Sequence, residues 1–437
     1  MSEFPSAFDP SPQGLSPNDY PATTNKATTN GATSNEAATN GARTDGVTTN
    51  GTTKISSDAI IVGAGFSGIS AMHRLRKLGF KVKAFEEGGD LGGVWYWNRY
   101  PGARVDSEVP FYQLSIPEVW KTWYWSCRFP DHSELRKYVE HIDKTLDIKK
   151  DVFFNAKVIS CVFDEGKNLW EVKTSAGHVA TGRYLILASG LLHKAYHPDF
   201  PGLSDYKGRV IHSGDWPEGE SFKGQKVAVL GAGATSVQIV QELSKQADQL
   251  SMLMRRPSYC LPLGQRPIGE PEQDHWKAYY PRLFKEGRHS RAGYPVTRPN
   301  CGVFDMTDEQ RLDHFESMWK RGGFNFHTCG FDDVARNPKS NRIVYDFWAQ
   351  KTRARMTDPV KRDLMAPLEP PYYFGTKRLP LERDYYESLD QPNVEIVDLN
   401  ATPLDKFTEK GILTSDGKER EFDVVALATG FESFTGS

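Results

Sequence analysis

Two apolar runs in the chain end in glycine-rich turns, and each turn is followed by a segment with helical periodicity. The first run, Ile60 to Val62, leads into Gly-Ala-Gly-Phe-Ser-Gly at positions 63–68. The second, Val227 to Leu230, leads into Gly-Ala-Gly-Ala-Thr-Ser at positions 231–236. A short apolar run is typical of a buried strand, and glycine allows the tight turn that precedes a helix. The pattern therefore predicts two strand–turn–helix units.

The first unit combines a strand, an amphipathic helix and a second strand. The strand begins near Asp58, the helix places Ile69, Met72 and Leu75 on one apolar face, and the second strand covers residues 80–85. This order predicts a β-α-β unit of the Rossmann type, which the second glycine turn repeats.

A further repeat supports duplication of this unit. Residues 184–190 and 424–430 are apolar strands that end in Ala-Ser-Gly and Ala-Thr-Gly. Small residues at a strand end let the chain pass close to a bound cofactor.

The glycine turns have the spacing of dinucleotide-binding sites, in which the second glycine lets the backbone approach a pyrophosphate and the helix N-terminus supplies N–H groups. One such turn alone is also typical of a strand–helix connection without a ligand. However, Glu86 follows the second strand of the first unit, a position where a carboxylate accepts a hydrogen bond from a free ribose 2′-hydroxyl. Arg255 and Arg256 occupy the equivalent position of the second unit, where arginine suits a 2′-phosphate. The pair predicts FAD and NADPH. The phosphate contacts expected are Gly63, Gly65, Ser67 and Gly68 for FAD, and Gly231, Gly233, Thr235 and Ser236 for NADP.

The remaining pattern divides the chain into a tail, two nucleotide-binding domains and an insertion. Residues 1–54 hold too few apolar residues to order and are predicted to be a disordered tail. Residues 265–374 are rich in Pro, Gly, Arg and aromatics and include a predicted helix near 308–320. We interpret them as a mainly helical insertion that covers the cofactor cleft. An inert surface excursion is the alternative. The predicted α/β fold thus has two Rossmann-like domains, residues 55–200 with 421–437 for FAD and residues 201–264 with 375–420 for NADP.

Composition narrows the classes of function. The 437 residues carry a net charge of −2, from 54 basic and 56 acidic residues, which gives no basic footprint for nucleic acid. The apolar runs are strand-sized rather than membrane-spanning, and the N-terminus lacks a secretory pattern. The five cysteines form no Cys-x-x-Cys pair and no metal-ligand spacing. These features predict a cytoplasmic protein without a membrane or nucleic-acid partner and without a metal site.

Two longer motifs resemble those of a known family. Residues 92–106 read Gly-Gly-Val-Trp-Tyr-Trp-Asn-Arg-Tyr-Pro-Gly-Ala-Arg-Val-Asp, and residues 206–217 read Tyr-Lys-Gly-Arg-Val-Ile-His-Ser-Gly-Asp-Trp-Pro. Both are similar to the fingerprints of the Baeyer–Villiger monooxygenases, with Tyr206 where the family usually has Phe. The resemblance covers residues 57–437. It implies an FAD- and NADPH-dependent enzyme that inserts one atom of O2 beside a ketone carbonyl, through a peroxyflavin, and yields an ester or lactone.

The resemblance also implies roles within the first motif. Gly92 and Gly93 let the backbone lie against a cofactor, and Trp95 and Trp97 offer flat walls for an isoalloxazine ring, although ordinary core aromatics are the alternative. In the family the Asp at position 106 lies near the flavin and holds an active-site arginine in place. The expected flavin contacts are Val94, Trp95, Tyr96, Trp97, Asp106 and Tyr112, and Arg104 is expected at NADP.

Arg378 is the expected catalytic arginine, because the family's arginine lies in a stretch that matches Gly-Thr-Lys-Arg-Leu at 375–379. A guanidinium group stays charged at any working pH, so it can stabilise the negative charge that develops when the peroxide adds to the ketone. Lys377 is expected at the NADP 2′-phosphate together with Arg255. A solvent-exposed Lys-Arg pair is the alternative interpretation.

His212 invites a general-base role because histidine titrates near neutrality. The resemblance places it in the interdomain linker, and a general base must reach the substrate. A structural or domain-coupling histidine is therefore favoured.

The chain departs from the family pattern at several positions. Arg256 replaces a Thr or Ser, Ser236 stands at the third glycine position, and Glu432 replaces an Asp. Family members continue beyond the Ala-Thr-Gly-Phe segment that ends at position 431, so we expect the portion that completes the flavin domain to be absent. Three alternatives stay open: an N- or S-oxygenating flavin monooxygenase, a disulfide reductase (for which no close dithiol is present) and a non-catalytic flavoprotein. The large insertion indicates a ketone bulkier than acetone, of the secondary-metabolite kind.

Overall fold

A computed structural model describes residues 47–49 and 52–433, with the exception of positions 291, 292, 294 and 297. Most of the predicted tail, residues 1–46 together with 50 and 51, lies outside the described residues. Within the described residues, no helix combines the length and the apolar character that crossing a membrane requires.

The first part of the chain forms a seven-stranded sheet in the order β4-β3-β2-β7-β6-β5, with β1 paired to β2. Strands β4, β3, β2 and β7 are parallel, whereas β5 and β6 are antiparallel additions. The elements are β1 (Val47–Thr49), β2 (Thr52–Val62), α1 (Phe66–Lys77), β3 (Val82–Phe85), α2 (Val94–Trp97), α3 (Pro117–Trp120), α4 (His132–Leu146), β4 (Val152–Phe153), β5 (Val158–Asp164), β6 (Leu169–Thr174) and β7 (His178–Leu187).

The strand predicted to begin near Asp58 begins earlier in the structure. Strand β2 already begins at Thr52, and β1 pairs with it antiparallel. The physical reason is that the long strand β7 supplies parallel partners for residues 53–57, from His178 to Gly182, so the polar start of β2 is hydrogen-bonded without an apolar run of its own.

The second nucleotide unit follows with β8 (Arg209–His212), β9 (Lys226–Leu230), α5 (Ala234–Leu243) and β10 (Gln249–Met254). The central residues of β2 and β9 are fully buried, which matches the continuous apolar runs that parallel strands covered on both faces require. On α1, Ile69 and Met72 are buried and Leu75 packs partly against the same core, as the periodicity predicted.

The predicted insertion is mainly helical in the described residues. Thr307 and Gln310 form a capping box at the start of α8, which confirms the helix predicted near 308–320. The elements of this region are β11 (Leu261–Pro262), α6 (Glu270–Lys277), α7 (Tyr280–His289), α8 (Asp308–Arg321), α9 (Asn325–Thr328), α10 (Pro338–Arg353), α11 (Pro359–Met365), β12 (Leu381–Glu382) and α12 (Tyr385–Leu389). Strand β12 pairs in parallel with β11, so the chain re-enters the second unit beside the point where it left.

The chain then completes the second sheet, in the order β13-β10-β9-β17-β8, with all neighbours parallel. The remaining elements are β13 (Val394–Asp398), β14 (Leu404–Phe407), β15 (Gly411–Thr414), β16 (Glu419–Glu421) and β17 (Val424–Leu427), of which β14 to β16 form a small antiparallel sheet. Residues 421–437 were assigned to the FAD domain from the sequence, but β17 lies between β9 and β8 of the second sheet, because it is fully apolar and buried and pairs on both edges.

The sequence repeat between residues 184–190 and 424–430 corresponds to two strands in equivalent positions of the two sheets. Strand β7 pairs with β2 in the first sheet as β17 pairs with β9 in the second, with Val62 opposite Leu187 and Leu230 opposite Leu427. The order β3-β2-β7 in the first sheet is therefore repeated as β10-β9-β17 in the second. This repeat confirms the predicted fold class of two Rossmann-like domains.

Candidate active site

The two glycine turns have nearly the same geometry. Gly63 and Gly231 adopt φ values of +99° and +121°, which side chains rarely tolerate. A Cβ atom on Gly63 would lie 2.5 Å from the carbonyl oxygen of Ala188, and one on Gly231 would lie 2.6 Å from that of Ala428. The first glycine of each turn is thus required by the close approach of the end of the neighbouring strand.

Glu86 lies directly after β3 and is 6% exposed. Its carboxylate accepts hydrogen bonds from the backbone N–H of Ala64 at 2.7 Å and of Gly88 at 2.8 Å. A carboxylate has about four acceptor positions, so two positions are still available for a ribose hydroxyl. The side chain is therefore fixed at the mouth of the first glycine turn.

The first long motif contacts this turn through its glycines. Gly92 donates its N–H to the carbonyl of Ala64 at 3.1 Å. Gly93 has φ +56°, and a Cβ atom there would lie 3.0 Å from Cα of Gly65. Two glycine backbones therefore meet where α1 begins.

Trp95 and Tyr112 form an aromatic wall beside the turn. Trp95 is 8% exposed and donates its indole N–H to the Tyr112 hydroxyl at 2.9 Å, with the rings nearly perpendicular. Tyr112 also packs against Phe66, the first residue of α1, at 6.0 Å between ring centroids. Burial raises the pKa of Tyr112 to about 12, with a smaller contribution from Asp106, so the hydroxyl stays protonated.

Arg378 and Asp106 form an ion pair across 272 residues of sequence. The guanidinium Nε and Nη2 donate to Oδ2 of the carboxylate at 2.9 and 2.6 Å. The Arg378 side chain is 64% exposed, and its Cζ lies 5.5 Å from the ring centroid of Phe324. Because the guanidinium has five N–H donors, several are still available to a ligand.

A cluster of three cations lies where β10 and the Arg378 segment approach each other. Lys377 has its pKa lowered by partial burial and by the charges of Arg256 and Arg255. Its Nζ lies 4.6 Å from the ring centroid of Tyr372, a cation–π distance. Three positive groups that repel one another are stabilised by an anion, which makes this cluster a candidate phosphate site.

Comparison with known proteins agrees with this geometry. The family model for flavin-binding monooxygenase-like proteins matches residues 56–266. The FAD-binding monooxygenase acrE of Aspergillus aculeatus is 45% identical over 87% of this chain and 64% of that protein, and cyclopentanone 1,2-monooxygenase of a Comamonas species is 38% identical over 87% and 69%. The structure of cyclohexanone monooxygenase from a Rhodococcus species, bound to NADP+, superposes with a TM-score of 0.83 at 33% identity and covers 86% of this chain and 71% of that one.

The chain belongs to the Baeyer–Villiger monooxygenase family. The resemblance seen in the two long motifs is therefore confirmed. This Baeyer–Villiger chain spans 64% of the length of the acrE relative.

Several predicted site residues of this Baeyer–Villiger chain lie close together in the structure. Asp106 contacts Arg378, and Tyr112 lies near both charges and against Trp95. Tyr96 and Trp97 pack against each other with perpendicular rings at 4.9 Å. Ser236, at the third glycine position of the second turn, is fully buried and its hydroxyl has no hydrogen-bond partner among the described atoms.

Arg104 is not part of the cation cluster. Its pKa is lowered by burial and by Arg383, while Asp131 and Glu242 act in the opposite direction. Its side chain lines a cavity of about 770 Å³ together with Arg383 and Cys127. The backbone of Arg104 forms an isolated antiparallel β-bridge with Asp131, and its surroundings therefore differ from those of Asp106. The predicted contact of Arg104 with NADP stays a prediction.

Two glutamines that the sequence pattern did not single out connect α5 to the first motif and to the segment after β12. Tyr100 donates its hydroxyl hydrogen to Gln238 at 2.9 Å, and Gln241 accepts from the backbone N–H of Arg383 at 2.8 Å. Both glutamines lie on α5 and are buried. The one available signal was polar residues spaced i, i+3 within an apolar helix, which by itself does not identify a partner.

His212 has the surroundings of a structural residue. Gly214 donates its backbone N–H to Nδ1 at 3.0 Å, and Nε2 lies 3.1 Å from the carbonyl of Gly430. Nδ1 is therefore the acceptor and Nε2 the donor, so the ring is neutral and links the end of β8 to the segment after β17. Burial lowers its pKa, and His197 lowers it further.

Proposed function

We propose that this chain binds FAD and NADPH and acts in a Baeyer–Villiger oxidation, in which one oxygen atom of O2 is inserted beside a ketone carbonyl to give an ester or lactone. The pairing of Arg378 with Asp106 carries the proposal, because it holds a permanent positive charge near the aromatic wall of the first nucleotide unit. The size of the insertion supports a bulky, secondary-metabolite-like ketone.

The residues present fit the two cofactors. Gly65 and Gly93 leave space for phosphates at the start of α1, where side chains would collide, and Glu86 lies ready for the adenosine ribose. Gly233 is open, with no atom within 4 Å of a Cβ placed there, and Arg255, Arg256 and Lys377 would bind a 2′-phosphate. The chemistry that bound FAD and NADPH would supply is electron transfer and O2 activation, for which the side chains of the site have no redox group of their own.

The chain's own residues would act on charge and position. Arg378 would stabilise negative charge that develops on the ketone oxygen, because its guanidinium does not titrate in the working range. Asp106 would orient that guanidinium through two hydrogen bonds. Trp95 and Tyr112 would keep water from one side of the flavin, with the Tyr112 hydroxyl neutral.

A cytoplasmic location is part of the same proposal. Cys127, Cys161, Cys260 and Cys301 carry free thiols, which is typical of a reducing compartment and supports a cytoplasmic location. Fractionation of cells that express the tagged protein would test it, and recovery in the secreted fraction would contradict it.

The proposed activity is tested on the purified chain. Bound flavin is quantified from the absorbance spectrum after denaturation, and NADPH consumption is followed with a panel of cyclic and bulky ketones. Mass spectrometry of an ester or lactone containing one 18O atom from 18O2 would support the proposal. Formation of an N-oxide or S-oxide alone would favour the N- or S-oxygenating alternative, and flavin binding without NADPH oxidation would favour a non-catalytic flavoprotein.

A further inference from the structure

Helix α5 carries two buried glutamines on one face. Gln238 and Gln241 are 9% and 3% exposed and are separated by one helical turn. Buried amides are retained when they are hydrogen-bonded, and both of these are bonded to segments outside the helix. The two segments they contact are the ones that carry Asp106 and Arg378.

Gln238 contacts the segment that precedes Asp106. Its Oε1 accepts the Tyr100 hydroxyl at 2.9 Å, and its Nε2 donates to the carbonyl of Arg104 at 3.2 Å. Gly102 has φ +81°, and a Cβ atom there would lie 2.7 Å from the Gln238 carbonyl oxygen. The first motif therefore packs directly on α5, and its contact with Gln238 at Arg104 is two residues before Asp106, the carboxylate that binds Arg378.

Gln241 contacts the segment that follows Arg378. Its Oε1 accepts from the backbone N–H groups of Arg383 and Asp384 at 2.8 and 3.3 Å, while its Nε2 donates within the helix to Val237. Strand β12 lies between Arg378 and these residues, and the buried carboxylate of Glu382 in β12 pairs with Arg355 at 2.6 Å. This short connection is held at both ends.

The beginning of α5 belongs to the second glycine turn. Gly233 is its N-cap, and Thr235 lies in its first turn. The cavity lined by Gly102, Gln238, Gln241 and Arg383 measures about 10 Å³, room for hardly one water molecule. A shift of α5 is therefore transmitted to both segments rather than absorbed between them.

We propose that Gln238 and Gln241 are positioning residues that couple the seating of NADP(H) at the second glycine turn to the placement of the Asp106–Arg378 pair. Each glutamine places one member of the pair relative to the same helix. The inference rests on the proposed binding of NADP(H) by that turn.

Hydrogen–deuterium exchange of the full chain, with and without NADP+, tests the coupling independently of catalysis. In the unchanged protein, NADP+ should slow amide exchange in residues 100–106 and in residues 378–384 by about fivefold or more, the lower end of typical coupling between sites. In Gln241→Met the slowing should disappear from 378–384 and persist in 100–106, and in Gln238→Met the reverse should hold. Gln246→Met, an exposed glutamine just after the same helix, should behave as the unchanged protein.

Two further variants separate positioning from general destabilisation. Gln241→Glu keeps an acceptor for the two N–H groups and should restore the slowing of exchange in 378–384. If the glutamine had a purely structural role, the loss of slowing in each variant would correlate with its unfolding temperature instead. Tyr100→Phe removes the hydroxyl that Gln238 accepts and should weaken the response of 100–106 even if Gln238→Met does not fold.

The outcomes distinguish this inference from the proposed function. Failure of the unchanged chain to bind NADP+ in calorimetry would overturn the nucleotide assignment and the coupling with it. Binding of NADP+ without slowed exchange in either segment, or an equal response in both glutamine variants and the Gln246→Met control, would overturn the coupling alone.

Discussion

At the scale of single residues, Arg378 and Asp106 illustrate what a motif does and does not state. Each residue was predicted from its own local stretch, and the family resemblance added that an aspartate holds the arginine. The structure supplies the contact itself, with two bonds to one carboxylate oxygen. Because the Arg378 side chain is 64% exposed, the pair contributes little to the free energy of unfolding, and its effect is expected in the reaction.

Arg378→Ala is expected to lower ester or lactone formation about 10²- to 10³-fold while FAD stays bound, because one preorganised positive group is lost where charge develops. NADPH oxidation should continue, with its electrons recovered as hydrogen peroxide. The measurement compares NADPH consumed, product by gas chromatography and peroxide by a coupled peroxidase assay.

Arg342→Ala is the matched control, because Arg342 also pairs with carboxylates, Asp346 and Glu369, but on helix α10. It should leave product yield unchanged. Product formation by Arg378→Ala at the unmutated rate would show that the arginine has no role in oxygen insertion.

The cation cluster predicts a preference between nucleotides. A hydrogen bond to a charged group contributes about 1.5–3 kcal/mol, which corresponds to roughly 10- to 150-fold in affinity. Arg255→Ala should raise KM for NADPH by about this factor and leave KM for NADH nearly unchanged, since NADH lacks the 2′-phosphate. Steady-state kinetics with both nucleotides decide the point, and equal losses would place Arg255 away from that phosphate.

At the scale of elements, the two glycine turns can be tested with equivalent substitutions, and the variant of each turn serves as the control for the other. Gly65→Val places a branched side chain against Gly93, whose Cα would lie 3.4 Å from the new Cβ, so the purified protein should lose FAD and its yellow colour. Gly233→Val changes the equivalent position of the second turn, and it should keep FAD but lose affinity for NADPH. Normal flavin content in Gly65→Val would contradict the assignment of the first turn.

The strand–turn–helix units could be predicted because their signals are local. Apolar runs, the glycine spacing and the charge after the second strand all lie within about 30 residues of one another. Gln238 and Gln241 could not be predicted, because a glutamine in an apolar helix gives no indication of which distant backbone it contacts. The same holds for Arg104, whose neighbours are determined by how the motif's end packs on other elements.

At the scale of the whole molecule, the sheet that contains a strand is harder to predict than the strand itself. Val424 to Leu427 has the pattern of a buried strand in either unit. Chain order alone favours the FAD domain, whereas pairing with β9 and β8 places the strand in the second sheet. The repeated Ala-Ser/Thr-Gly ending is the sequence signal of its equivalence to β7, because both strands pair with the strand that leads into a glycine turn.

The stability of the whole chain should fall in mildly acidic solution. Burial is the main cause that lowers the pKa of several histidines, among them His132, His178, His212, His314 and His327. Below pH about 6.5 the unfolded chain takes up protons that these folded sites resist, so stability is fully present above that pH and is lost as pH falls through the lowered pKa values.

Urea unfolding at pH 7.5 and pH 5.5 measures this dependence, and the midpoint should be lower at pH 5.5. Carboxylates with lowered pKa, such as Asp131, lose their contribution only at more acidic pH, because an unfolded aspartate titrates near pH 4. His212→Asn should reduce the difference between the two midpoints. Identical midpoints for the unmutated protein would contradict the prediction.

The position of β17 has a consequence for biosynthesis. In the described sheet β8 has β17 as its neighbour, and β17 also closes the open edge of β9. During translation, β8 and β9 are therefore synthesised about two hundred residues before β17, the strand that lies between them in the sheet. Parallel strand pairs with such a large sequence separation form slowly. Throughout that interval the nascent second unit exposes apolar strand edges, so chaperone engagement should concentrate on chains arrested between residues 254 and 424 and decline once β17 has emerged.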